Sequence, residues 1–195
     1  MHNWYYKILD HLPAVPQELI DKAYNSIDTQ LDSMPSGHWN KISTIKILVD
    51  GVEKTNAPML AYSLNNEMQS WVHENITDRD ITNVRISVSN SDETKDTNGA
   101  HCDLSRDYAL IYLLENGGPN HKTVFYKERD KLLWRNKGER CDDYSLLEEI
   151  DSIAIPLKTW VLLTTTVLHG VVNIPKQRVA IQVGLTNCKS LGIND

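Results

Sequence analysis

Two spacings of apolar residues divide the chain. In its first third they recur every three to four positions. After Pro16, Leu19, Ile20, Ala23 and Ile27 share one stripe; after Pro58, Leu60, Leu64, Met68, Trp71 and Val72 share another, with Asn65, Glu67 and Gln69 off it. This is the period of amphipathic helices, each with a proline early, where its missing N–H costs nothing. The pattern predicts two helices that each bury one face, with Met68 and Trp71 in the core. From Val84 onward the period falls to two or gives way to short apolar runs. Val84–Val88 alternates, Tyr108–Leu114 reads as a buried strand, and Thr123–Tyr126, Ile153–Leu157, Thr159–Val167 and Arg178–Leu185 follow. Turn-forming residues separate them at 90–99, 115–120, 137–138 and 173–177, and Tyr144–Ile150 adds one helical turn. Helices followed by a run of short strands predict an α+β, mainly β fold whose strands form a sandwich or barrel.

Length and composition fit one domain. At 195 residues, 41% hydrophobic and 24% charged, the chain can bury its own core without staples. A net charge of −6 leaves no positive field to gather phosphate backbones or anionic lipid, so nucleic acid is disfavoured as a partner. The most basic stretch, Lys127–Arg140, is interrupted by Glu128, Asp130 and Glu139 and reads as solvated surface. Cys102, Cys141 and Cys188 are odd in number and hold no Cys-x-x-Cys pair. They point away from a disulfide framework or a thiolate zinc site and toward a reducing cytoplasm. Residues 1–10 lack the basic-then-apolar run of a signal peptide, which makes the Asn75-Ile-Thr77 sequon a coincidence. Trp160–Val172, broken by Thr164, Thr165, Thr166 and His169, is too short and too polar to span a bilayer.

Candidate chemistry gathers in the strand region. His101-Cys102-Asp103 opens a strand pattern, and residues two apart in an extended chain share a face, so both side chains can reach one ion with Cys102 turned away. Alone, a His-x-Asp match is a chance event in a chain of this size. Its weight comes from position. His169 ends an apolar run, where a sheet delivers a polar residue to its rim, and Arg178 begins the strand that follows the 173–177 turn, which places the two on adjoining strands of a hairpin.

With these elements in hand, the chain resembles the 2-oxoglutarate- and Fe(II)-dependent oxygenases, in particular a small, phage-type member of their prolyl-hydroxylase-like branch. The resemblance is carried by Gly99-Ala-His101-Cys-Asp103, Ala109-Leu-Ile-Tyr112-Leu113, Gly117-Gly118 before Thr123-Val-Phe125, Thr159–Leu163 leading to His169-Gly170-Val171, and Arg178-Val-Ala-Ile-Gln182, in that order over Val84–Leu185. It implies a double-stranded β-helix, or jelly roll, over residues 81–187 on a mostly helical support of residues 1–80, all one domain. It implies Fe(II) on His101, Asp103 and His169, two imidazoles and a carboxylate that leave three adjacent positions open. It gives Arg178 the 5-carboxylate of 2-oxoglutarate, for which a planar, permanently charged fork is suited. The implied reaction consumes 2-oxoglutarate and O2, releases succinate and CO2, and hydroxylates a peptidyl residue or small molecule in the cytoplasm, the host's in the case of a phage protein.

Other residues keep two readings. Tyr112 matches the family position whose hydroxyl contacts 2-oxoglutarate, and equally fits the core. Arg106 either orients substrate or co-substrate or pairs with Asp107 or Glu115; Arg85 either lines the pocket with Ser87 and Ser89 or faces solvent. His121, in a turn, reads as exposed rather than as a substitute ligand, Trp134 and Trp160 read as packing residues, and Asp142-Asp143 as a cap before Tyr144. The reading from a different class is a cupin-like jelly-roll binding protein. Arg178 speaks against it, because a guanidinium beside a bare cation is repelled unless an anion lies between them.

Overall fold

The computed structural model describes residues 4–33, 45–49, 52–56, 60–64, 66–89, 100–129, 137–138, 140–141 and 143–193. The 90–99 turn, Trp134, Asp142 and much of the 127–140 stretch lie outside them. Along the chain run β1 (Tyr6–Ile8), α1 (Gln17–Ser33), β2 (Ile45–Val49), β3 (Val52–Asn56), β4 (Leu60–Ser63), α2 (Asn66–Asn75), β5 (Ile81–Ser89), β6 (Ala100–His101), β7 (Tyr108–Asn116), β8 (Lys122–Glu128), β9 (Arg140–Cys141), β10 (Leu147–Ile153), β11 (Trp160–Thr164), β12 (His169–Val172) and β13 (Arg178–Leu185).

Two antiparallel sheets carry the fold. The larger has the order β1-β11-β7-β13-β5-β4 and the smaller β10-β8-β12-β6-β9; β2 and β3 pair with each other. Successive strands alternate between the sheets from β5 to β8 and again from β10 to β13, with β8, β9 and β10 all in the smaller sheet, which is the winding of a double-stranded β-helix. The helices support the outer face of the larger sheet. Ile20 and Ala23 of α1 and Met68 and Val72 of α2 pack against Ile86, Leu110, Tyr112, Leu162, Ile181 and Val183. Each such aliphatic side chain contributes about 2 kcal/mol by leaving water. The opposite face of the same strands points between the sheets, where Ala109, Ile111, Leu113, Val161, Leu163 and Ala180 meet Phe125 and Ile153. A third cluster, with Cys102, Val124, Tyr126, Leu147 and Leu168, covers the outer side of the smaller sheet.

The pattern-based elements hold for α1, β5, β7, β8 and β13. Of the helical turn expected over Tyr144–Ile150 only Tyr144–Leu146 is helical, and the strand expected over Ile153–Leu157 lies earlier, as β10, because Leu147–Ile153 pairs with β8. Three further differences follow. Residues 60–63 are a strand, not the first turn of the second helix: they pair with β5 from Leu60↔Val88 to Ser63↔Arg85. The free edge of β5 takes up their backbone groups, and this outweighs a helical stripe whose helix begins only at Asn66. Among the described residues of the first eighty, four strands, β1 to β4, therefore accompany the two helices. The run Thr159–Val167 is not one strand. β11 stops at Thr164 and the chain bends through 165–168 before β12 starts in the other sheet. Thr165 fixes that bend, its N–H donating to Asp107 O at 2.9 Å, its hydroxyl to Arg106 O at 3.1 Å, and its carbonyl accepting from Asp103 N at 2.9 Å.

Smaller expectations resolve plainly. Trp160 is buried and donates through Nε1 to Pro13 O at 2.9 Å, which pins the N-terminal segment to the larger sheet. Asp143 caps the short turn at Tyr144, accepting from Ser145 N at 2.9 Å. His121 is buried rather than exposed, with Nδ1 at 2.9 Å from Gly118 O and Nε2 at 3.1 Å from Ile155 O. It ties the 117–121 turn to the segment after β10 and stands apart from any ligand cluster. No helix among the described residues is long and apolar enough to cross a membrane.

Candidate metal centre and anion pocket

The switch of sheets at 165–168 decides the site. His169 and Arg178 do not lie on adjoining strands of one hairpin: β12 belongs to the smaller sheet and β13 to the larger. The 173–177 turn carries the chain across, so the two residues belong to facing walls of the same interior. His169 is paired with His101 and with Phe125 in register. Asp103 follows two residues after His101, and its backbone N–H is held by Thr165 O. Cys102 between them turns into the outer cluster, as alternation requires.

His101, Asp103 and His169 each present a ligand atom within 4.8 Å of the others. The two imidazole rings lie 4.7 Å apart, and His101 Nε2 is 3.6 Å from Asp103 Oδ1. The remaining oxygen, Oδ2, accepts a hydrogen bond from Arg106 Nε. One carboxylate oxygen is thus tied back while the other faces the histidines. His169 Nδ1 sits 2.9 Å from Val167 O. A carbonyl only accepts, so Nδ1 carries the proton and Nε2 keeps its lone pair for a metal. The donor set and its outer partners fit a divalent first-row metal such as iron.

Burial tunes the same groups. Desolvation lowers the His169 pKa to about 4, His101 adding to the effect and Asp103 opposing it, so the ring stays neutral near pH 7. Burial opposes ionisation of Asp103, yet Arg106, His169 and His101 together hold its pKa down at about 2. Both shifts set a pH dependence in the metal-free protein. The unfolded chain takes up a proton near pH 6.5 that folded His169 refuses until about 4, so stability falls as pH drops through that window. Asp103 adds a second loss between 3.8 and about 2, because its ionised form is favoured in the folded state. Melting temperature measured from pH 7 to 4 should decline in the wild type and decline less in His169→Ala. Parallel profiles for the two proteins would refute the assignment.

The inner face of β13 reads Arg178, Ala180, Gln182, Gly184, since Val179, Ile181 and Val183 pack outward. Arg178 is 5% exposed. Its Nε has no hydrogen-bond partner, and no carboxylate among the described residues pairs with the guanidinium. Desolvation alone lowers its pKa, to about 10, leaving it charged. The close turn beside it needs glycine: Gly117 has φ +80°, and a Cβ there would lie 3.1 Å from Arg178 Cβ and 2.9 Å from Ile174.

Four residues along the strand, about 13 Å away, Gln182 Oε1 accepts from Arg85 Nε at 3.0 Å, Arg85 Nη2 at 2.9 Å and Arg106 Nη1 at 3.4 Å. Arg85 therefore lies on the inner face of the larger sheet and not toward solvent, and Arg106 pairs with Asp103 rather than with Asp107 or Glu115. Gly184 makes room for Arg106, whose Cδ would be 3.0 Å from an added Cβ.

Tyr112 is not part of this site. The residue is 1% exposed, its ring lies tilted 4.9 Å from that of Trp160, and it faces the helices, on the side of the larger sheet opposite Arg178. Ser87 is where the alternation of β5 puts it, beside Arg85, whereas Gln182 has no role in the sequence reading. The available signal was a polar residue at an even offset from Arg178 within an otherwise apolar strand.

No family model matches the sequence, and no curated protein matches it. Among solved structures, the chain is similar to a 2OG-Fe(II) oxygenase family oxidoreductase of Burkholderia pseudomallei, at 10% identity and TM-score 0.41, over 84% of this chain and 78% of that one. It is similar to a prolyl hydroxylase of Trichoplax adhaerens solved with a hypoxia inducible factor peptide, at 10% identity and TM-score 0.46, over 97% and 87%. It is also similar to a cupin superfamily protein of Desulfitobacterium hafniense, at 12% identity and TM-score 0.31, over 73% and 90%. The chemistry of the site rests on its own residues.

Proposed function

We propose that the chain is a 2-oxoglutarate- and Fe(II)-dependent dioxygenase that hydroxylates a peptidyl residue or a small molecule while 2-oxoglutarate is converted to succinate and CO2. One observation carries this reading: a buried, charged Arg178 with no acid beside it among the described residues, on the wall that faces a His-Asp-His cluster. A lone buried guanidinium is costly, and a carboxylate delivered by a ligand is what offsets the cost.

His101, Asp103 and His169 are the residues to hold the iron, and Arg178 the one to receive the 5-carboxylate. Iron(II), when bound, supplies dioxygen activation coupled to oxidation of the keto acid. The protein's part is arrangement. Asp103 stays ionised because Arg106 and the histidines favour its charged form. His169 stays neutral because it is buried, and Val167 O fixes which nitrogen faces inward. Phe125, 6.3 Å from the His169 ring and stacked on Tyr5 at 5.4 Å, sets an apolar surface beside the ligand cluster, which disfavours water there.

The test is anaerobic addition of 2-oxoglutarate to protein reconstituted with Fe(II). A metal-to-ligand charge-transfer band is expected in the visible spectrum, and succinate is expected once air is admitted. Absence of both would turn the reading toward a cupin-like binder.

A further inference from the structure

Arg85 is left over once Arg178 and Arg106 have their roles. Its side edge, Nε and Nη2, is spent on the neutral Gln182 Oε1 at 3.0 and 2.9 Å. Gln182 cannot turn away, because its Nε2 donates to Ser87 Oγ at 2.7 Å and Ser87 donates on to Ala180 O at 3.3 Å. The guanidinium is therefore held in one orientation, with its far end, Nη1 and the outer hydrogen of Nη2, unengaged by any carboxylate among the described residues. The chain of contacts Arg85–Gln182–Arg106–Asp103 runs to a metal ligand and sets two guanidinium charges against one carboxylate. On the oxygenase reading, a divalent metal and a dianionic keto acid cancel, while Arg178 adds a further positive charge. A site of this kind keeps a positive surplus after both are bound, and that surplus lies beside the metal, about 13 Å along the sheet from the keto-acid anchor.

We propose that Arg85 receives a carboxylate of the substrate, so that this site oxidises a carboxylic acid rather than a neutral residue within a polypeptide. The inference rests on the oxygenase reading for the word oxidises, but the anion site rests on the network alone. A carboxylate is preferred to a phosphate because two parallel N–H groups at the end of one guanidinium match two oxygens and one charge. A phosphate brings a third oxygen and a second charge for which the network offers no further donor. Burial, with Arg106 nearby and Asp103 opposing, lowers the Arg85 pKa to about 10, which still leaves it charged near neutrality.

The experiment compares the N-acetyl amino acids with their primary amides and with matched phosphate esters, by saturation-transfer NMR on protein holding Zn(II) and 2-oxoglutarate. Zn(II) keeps the sample redox-inert, so binding is read apart from turnover. In the wild type at least one acid should bind tenfold or more tightly than its amide. Arg85→Gln should erase that preference and Arg85→Lys retain part of it, with the 2-oxoglutarate concentration for half-saturation unchanged in both. Circular dichroism confirms that the variants are folded, and if Arg85→Gln is not, Arg85→Lys still reports the loss of the fork. Equal binding of acid and amide, binding of neither, a preference that survives Arg85→Gln, or tighter binding of the phosphate esters overturns the proposal. Failure of the wild type to bind 2-oxoglutarate sinks the oxygenase reading separately. The acid-against-amide comparison on the Zn(II)-loaded protein then still decides Arg85.

Discussion

Arg178→Met is expected to raise the 2-oxoglutarate concentration needed for succinate formation by about a hundredfold or more, and to leave iron affinity nearly unchanged. The size follows from removing one charge-assisted, two-pronged contact in an enclosed site, worth roughly 3 kcal/mol. The structure adds a second, opposite consequence. In the ligand-free protein the guanidinium is buried without an ion-pair partner among the described residues, and desolvation holds its pKa to about 10. That shift corresponds to on the order of 3 kcal/mol withheld from folding. Methionine replaces the apolar stem and carries no charge, so the variant should melt at a higher temperature than the wild type without ligand, and at a lower one in saturating 2-oxoglutarate. Arg178→Lys should fall between them, since an ammonium keeps the charge but loses the fork. The measurements are succinate against 2-oxoglutarate concentration and melting curves with and without it. Equal dependence in all three proteins would remove Arg178 from the site.

Loss of any one of the three ligands is expected to abolish tight Fe(II) binding, but the variants should differ in stability. His101→Ala and His169→Ala remove side chains from the mouth between the sheets and should leave circular dichroism intact. Asp103→Ala also strands Arg106, which is 6% exposed and pairs with the lost carboxylate, so it should cost about 3–5 kcal/mol. Asp103→Asn separates the two effects: an amide oxygen can still accept from Arg106, while the anionic ligand is gone. Titration calorimetry with Fe(II) under anaerobic conditions should find weak or no binding in Asp103→Asn together with a melting temperature near wild type. Unchanged iron affinity in that variant would dismiss the triad. Global unfolding of all the variants would instead indicate a metal that is part of the fold.

Local pattern reached a good part of this. The alternation of β5 places Arg85 and Ser87 on one face, and Arg85 does line the interior. The two-residue spacing of His101 and Asp103 brings both to one side with Cys102 on the other. Tyr112 shows where pattern stops. Tyr108–Leu114 is apolar at every position because β7 is buried on both faces, and a strand covered on both sides shows no alternation from which to tell them apart. Only the register Ile181↔Tyr112 and Trp160↔Tyr112 reveals that its ring turns toward the helices.

What the sequence determined by itself is what depends on neighbours along the chain: the helical face of α1, the strand character of β5, β7, β8 and β13, and the chemical types of the ligands and of Arg178. What only the tertiary structure decided is which residues meet. An apolar run such as Thr159–Val167 carries no mark of the bend that sends β12 into the other sheet; that bend is held by hydrogen bonds from Thr165 to residues 103, 106 and 107, some sixty positions earlier. The same long-range contacts put Gln182 between Arg85 and Arg106 and leave Arg178 charged and unmatched. A surplus of buried positive charge is a property of the assembled walls, because whether a guanidinium has a partner depends on what the facing strands bring to it.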